Sequence, residues 1–148
     1  MFEQRVSKIM ERKKLLVAPP DTSVHKAAQL MAKRNVGAIM VVANQRLVGI
    51  FTERDALKRV IAKGRDARTT VLADVMTADP QTAVPEESFG HVLLTMHEHG
   101  YRHMPVVEEG MPVGIVSARS ALDPDLEDFV SEAQRRKHIL SRRQGKSE

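Results

Sequence analysis

The sequence predicts an α+β fold: two β-α-β-β-α repeats packed sheet to sheet with pseudo-twofold symmetry, plus N- and C-terminal helices. Three observations predict it. Shifted along itself, the chain places Gly49-Ile50 on Gly114-Ile115, Val41-Val42 on Val106-Val107 and Met31 on Met96. Each copy holds two short β-branched runs joined by turn residues, Asn44-Gln45 in one and Glu108-Glu109-Gly110 in the other. Each copy's last strand then runs into a hydroxyl residue and an arginine, Thr52 with Arg54 and Ser117 with Arg119.

The elements follow in order. The charged N-terminal stretch, with Phe2, Val6, Ile9 and Met10, reads as a helix with a packing face. Leu15-Leu16-Val17 and Thr82-Ala83-Val84 read as short extended segments. Val24, Ala27, Ala28, Leu30 and Met31 recur at helical spacing behind Ser23, a suitable N-cap. Phe89, Val92, Leu93 and Met96 repeat that stripe, and Gly100 is placed to stop it. The runs AIMVVA and RLVGIF, then HMPVVE and PVGIVS, read as hairpin strands. Short helices are expected from Thr52 to about Ile61 and from Ser117 to Leu122. The units divide as residues 1–62 (N-terminal helix and first repeat), 63–71 (linker), 72–122 (second repeat) and 123–148 (C-terminal helix and basic tail). One unit is too small to cover both faces of its sheet, so the halves are expected to pack together and leave clefts between them.

Composition excludes several chemistries. The 148 residues include no cysteine, so disulfides, thiol catalysis and cysteine-held zinc are absent. Aromatics are 3% of the chain, and the core must come from aliphatic residues and the eight Met. No apolar run suits a membrane span, and the charged start lacks the apolar stretch of a signal peptide, so the expected compartment is the cytoplasm. The net charge of +4 resides in the tail: residues 134–148 carry six Lys/Arg against one acid. Bulk charge therefore does not point to nucleic acid.

The junction GIFTERD, residues 49–55, carries the chemistry. A strand ending on Thr52 and opening a helix offers a hydroxyl and free backbone N–H groups, an arrangement suited to phosphate. Asp55 lies on the same side of the first turn, and a carboxylate matches the vicinal diol of ribose. The bland alternative is an N-cap with a dipole-favoured acid. His97, His99 and His103 lack metal-ligand spacing and read as surface histidines near a cleft; no metal is expected. No nucleophile elbow, Walker loop, zinc helix or dinucleotide fingerprint occurs, so no enzyme activity is expected.

With those residues in view, the stretches PPDTSVHKAAQLMAKRNVGAIMVVANQRLVGIFTERDAL and MTADPQTAVPEESFGHVLLTMHEHGYRHMPVVEEGMPVGIVSARSAL resemble a tandem cystathionine-β-synthase (CBS) domain pair, or Bateman module, from about Val6 to Leu122. The resemblance implies a non-catalytic regulatory module that binds an adenosine-containing ligand (AMP or ATP foremost, NAD or S-adenosylmethionine also) in an inter-repeat cleft. It further implies a homodimer that signals to a separate, unidentified protein. Carried over residue by residue, Thr52 faces phosphate beside Arg54, Asp55 holds the ribose, and Pro80, Gln81 and Thr82 lie near the base. Arg102 or His103 would meet phosphate on the facing strand, with Met104 and Pro105 beside them. The second cleft would use Lys14, Leu15, Leu16, Val36, Gly37, Ala38, Ser117 and Arg119. There Ser120 stands where the family has Asp, so this cleft is expected to be empty, looser, or filled by part of a larger ligand.

The C-terminal stretch reads as one helix capped near Asp123-Pro124, acidic at its start and basic at its end, with Leu126, Phe129, Val130, Ala133 and Leu140 as an apolar stripe. Packing on the module or on a second copy is its expected use. The alternative function is contact with nucleic acid or an acidic partner through its basic end.

Overall fold

In a computed structural model of the chain, residues 2–12, 15–118 and 123–145 are described, with side chains in the last segment described over 132–143. A tight turn spans Val6–Lys8, followed by β1 (Val17–Ala18), α1 (Val24–Arg34), β2 (Ala38–Ala43) and β3 (Arg46–Thr52). The short helix α2 (Glu53–Asp55) continues as a wider helical turn over Ala56–Ile61. Then come α3 (Leu72–Val75), β4 (Thr77–Ala78), α4 (Phe89–His99), β5 (His103–Glu108), β6 (Met111–Ser117) and α5 (Asp123–Gly145).

Local chemistry explains the boundaries. Ser23 Oγ accepts from Lys26 N and Ser88 Oγ from His91 N, so the two long helices start on equivalent caps. They end equivalently too, on Asn35 (φ 53°) and Gly100 (φ 71°), both left-handed. The hairpin turns place Asn44 and Gln45 at φ 51° and 63°, and Glu109 and Gly110 at 52° and 83°. Two positive φ values in a row follow the twist of the flanking strands. Both hairpins shift register at the same point, between Val41 and Val42 and between Val106 and Val107.

The first sheet has the order β1-β2-β3-β4, with β1 parallel to β2 and the other pairs antiparallel. The second is the β5-β6 hairpin, extended by single bridges from Ala83 to Val106 and from Glu11 to Ile115. The same plan is therefore built twice, but the leading segments are exchanged. α3 and β4, which precede the second hairpin, pack on the first sheet: Leu72 and Val75 join the core of Val24, Ala27, Ile39 and Phe51. Val6 and Met10 lie in the core of Phe89, Val92, Met104 and Val106, and Phe89 N donates to Gln4 O at 2.8 Å. The expected N-terminal helix is thus one short turn, and its apolar residues serve the second unit. Met76 sits over Gly49 and Met10 over Gly114, where an added Cβ would collide with the Met sulfur. The two halves meet through Ala38, Met40 and Ile50 against Ile115, with Leu15 and Leu47 beside them. Among the described residues, no helix is long and apolar enough to cross a membrane.

Candidate functional site

Two clefts open between the repeats. The larger, about 540 Å³, is lined from the first repeat by Ile50, Thr52, Glu53, Arg54, Asp55, Leu57 and Lys58. Thr77, Pro80 and Gln81 line it from the crossing segment, and His99 to His103 from the second repeat. The size falls in the range of small-molecule sites, roughly 300–1,000 Å³. The register of β3 fixes its floor, because the strand must end at Thr52 opposite Ala38. The C-terminal stop of α4 at Gly100 turns Tyr101, Arg102 and His103 back toward the same space.

Asp55 is largely buried, its side chain 13% accessible against 47% for its ion-pair partner Arg59. Its Oδ2 accepts from Thr52 N at 3.0 Å and Thr52 Oγ1 at 3.1 Å, while Thr52 Oγ1 accepts from Asp55 N at 3.2 Å. Its Oδ1 lies 3.6 Å from Arg59 Nε. The capping reading of the junction is thus realised in full. This engages amides that were expected to be free for a phosphate. Asp55 N is held by Thr52, Glu53 N donates to Gly37 O at 3.0 Å, and the Thr52 proton is committed to Asp55. Phosphate binding in this cleft would depend on side-chain cations: Arg54, Lys58 and Arg102 stand there against Glu53 and Asp55. A second oxygen, Asp55 Oδ1, keeps acceptor capacity for a hydroxyl.

Arg54 Nη1 reaches across to the carbonyl of Gly100 at 3.2 Å. His99 and Tyr101 stack with centroids 5.3 Å apart and planes 11° from parallel, and His99 Nδ1 is held by Thr95 O at 2.9 Å. Burial pushes the His103 imidazole below its ordinary 6.5; Arg102 and Arg54 act in the same sense, and Glu53 opposes them.

The smaller cleft, about 400 Å³, is lined by Glu11, Asn35, Val36, Gly37, Ala38, Met40, Glu53, Arg102, His103, Ile115, Ser117 and Ala118. The Val36-Gly37-Ala38 segment of its wall carries no charge. The fold adds two carboxylates beside it, Glu53 from α2 and Glu11 from the exchanged N-terminal segment. Glu53, Arg102 and His103 line both clefts and form their common wall. Among the described residues, no group of three or more His, Cys, Asp or Glu is placed to hold a metal.

The expected residues divide as follows. Thr52, Arg54, Asp55, Pro80, Gln81, Arg102 and His103 are gathered in the larger cleft, and Gly37, Ala38 and Ser117 in the smaller. Thr82 is exposed and lines neither. Met104 and Pro105 are fully buried; they are neighbours on β5 and face opposite sides of it, so both faces of the strand are covered there, Met104 by the second core cluster. Leu16 joins the first core cluster at 7% exposure. Lys14, Arg119 and Ser120 lie outside the described residues. Sequence reasoning did not place Glu53, Leu57, Lys58, Thr77, Gly100 or Tyr101 in the cleft. Lys58 and Leu57 had a signal, being one turn beyond the Thr52 cap on the same short helix.

Comparison with known proteins agrees with this architecture. The CBS domain matches residues 6–62 and 72–125. A mitochondrial CBS domain-containing protein of Arabidopsis thaliana, CBSX3, is 33% identical over 120 residues, covering 78% of this chain and 58% of its own. The chain spans smaller shares of other curated relatives, 19% of a Schizosaccharomyces pombe protein and 26% of a second Arabidopsis protein. A conserved protein from Pyrococcus horikoshii superposes with a TM-score of 0.78 at 32% identity, over 84% of this chain and 94% of that one. The CBS domain protein PAE2072 from Pyrobaculum aerophilum, solved in complex with AMP, superposes at 0.72 and 26% identity, over 79% and 89%. Two matched domains, the doubled sheet plan and the paired clefts lead to one statement: the chain belongs to the CBS-domain family.

Proposed function

We propose that the protein is a non-catalytic sensor that binds an adenosine nucleotide, AMP or ATP before NAD or S-adenosylmethionine, in the larger cleft. The observation that carries this reading is the convergence of Asp55, Arg54, Lys58 and Arg102 on one inter-repeat space of about 540 Å³. In this reading Asp55 Oδ1 accepts a ribose hydroxyl, and Arg102, Arg54 and Lys58 receive the phosphates through charge-assisted hydrogen bonds. Pro80 and Gln81 flank the base. The AMP complex of the Pyrobaculum relative supports the ligand class. The smaller cleft, with Glu11 and Glu53 in its wall, suits a phosphate group less well.

Because residues from both repeats line the cleft, a ligand that favours one inter-repeat geometry would shift its population, and a regulated partner protein would read that shift. The working unit is proposed to be a homodimer in the cytoplasm. Mass spectrometry of small molecules released on denaturing freshly purified protein tests the reading. A bound adenosine nucleotide is expected in the wild type and a much reduced amount in Asp55→Asn; equal amounts in both would contradict it.

A further inference from the structure

The helix α5 runs 23 residues, about 34 Å at 1.5 Å per residue. Every residue from 132 to 143 is exposed, including Ile139 at 46% and Leu140 at 59%. A long helix rarely persists in water without a packed face. Its charges are segregated. Asp123, Asp125, Glu127, Asp128 and Glu132 occupy the first half with no base, and Arg135, Arg136, Lys137, Arg142 and Arg143 the second with no acid. The helix dipole favours acids in the first turn and bases in the last, but its influence fades within one turn. It does not account for Glu132 or for Arg135 to Lys137, which lie deep in the helix. One ion pair among the described residues, Arg136 to Glu132 at 2.7 Å, lies within the helix and straddles the boundary.

We propose that α5 is a self-association surface on which a second copy of this chain docks its own α5 antiparallel. The apolar positions 126, 129, 130, 133 and 140 recur at helical spacing, and Ala133 lies midway between Leu126 and Leu140. Centred on Ala133, an antiparallel pair sets Leu126 of each copy against Leu140 of the other. The small residue falls where the helices meet, and each acidic half lies along the other's basic half. A parallel pair would align like charges along its whole length. This deepens the proposed homodimer by naming its surface, and it stands independently of the nucleotide.

The absence of native cysteine makes the test direct. Under mild oxidation full-length Ala133→Cys is expected to form a covalent dimer. Leu126→Cys and Leu140→Cys are each expected to stay largely uncrosslinked alone and to crosslink when mixed. Adding Arg135→Glu, Arg136→Glu and Lys137→Glu to Ala133→Cys is expected to lower the crosslinked yield at least tenfold. Crosslinking of Leu126→Cys or Leu140→Cys alone as strong as that of Ala133→Cys would overturn the antiparallel pairing. A wild-type dimer in sedimentation whose mass is unchanged by the triple charge reversal would overturn the surface while leaving the homodimer intact. A monomeric wild type would remove both. A monomer whose basic half retards duplex DNA, with retardation lost on charge reversal, would give the helix to a polyanion instead.

Discussion

Arg54 Nη1 donates to the carbonyl of Gly100 across 3.2 Å and 46 positions of sequence. A side chain of the first repeat thereby holds the helix stop of the second, at the edge of the larger cleft. Arg54→Ala should weaken AMP binding by roughly tenfold through loss of this strut and of a phosphate donor. Being exposed, the bond contributes about 1 kcal/mol to folding at most. Calorimetry and urea titration of the same variant separate the two effects.

Asp55 has a folding role apart from any ligand. Replacing it by Ala leaves Thr52 N and Thr52 Oγ1 without the acceptor they share. The expected cost is about 1 kcal/mol, the usual value of a lost cap, read as a shift in the urea midpoint with an unchanged slope. Asp55→Asn keeps an acceptor oxygen toward Thr52 and should lose less.

Gly49 and Gly114 face the Met76 and Met10 side chains at equivalent points of the two sheets. Gly49→Ala should destabilise by about 1–3 kcal/mol, the cost of overpacking a filled core. Pairing it with Met76→Ala should recover part of that loss, because contacting residues couple in double-mutant cycles. Gly114→Ala with Met10→Ala should behave in the same way, which would confirm that the exchanged segments are equivalent.

His103 carries a pH signature. Burial lowers its pKa from 6.5, so above pH 6.5 the ring is neutral in both folded and unfolded chains and contributes no slope. As pH falls below 6.5 the unfolded chain takes up the proton first. Stability therefore drops until the folded value is passed, then levels. Subtracting the profile of His103→Gln from that of the wild type between pH 8 and about 4 should isolate this step; parallel profiles would show that the ring is not buried in solution.

Much of the architecture was legible because its signals are local. β-branched runs bounded by Asn44-Gln45 and Glu109-Gly110 gave the hairpins within a residue, Ser23 gave the start of α1, and Gly100 gave the end of α4. The exchange of leading segments was not legible. Val6 to Met10 resembles Leu72 to Met76, but likeness shows what repeats, not which sheet edge each copy joins. For the same reason Glu11 was unforeseen in the smaller cleft. At the site, Asp55 and Arg102 were readable from motif and charge. Met104, next to the cleft residue His103 on β5, faces the other side of the strand, and Pro105 shares the His103 face but is fully buried beneath it, so neither lines the cleft. Tyr101 follows no pattern; only the turn at Gly100 brings it to the cleft mouth, beside the His99 that was expected near a cleft.

The central claim is that the groove walled by Asp55 holds an adenosine nucleotide. Titration calorimetry of the full-length protein with AMP, on wild type and on Asp55→Asn, tests it most directly. Saturable heat at one nucleotide per chain, with affinity falling at least tenfold in the variant at nearly unchanged thermal stability, is the expected result. No heat with AMP, ATP, NAD or S-adenosylmethionine, or equal affinity in both proteins, would contradict the account.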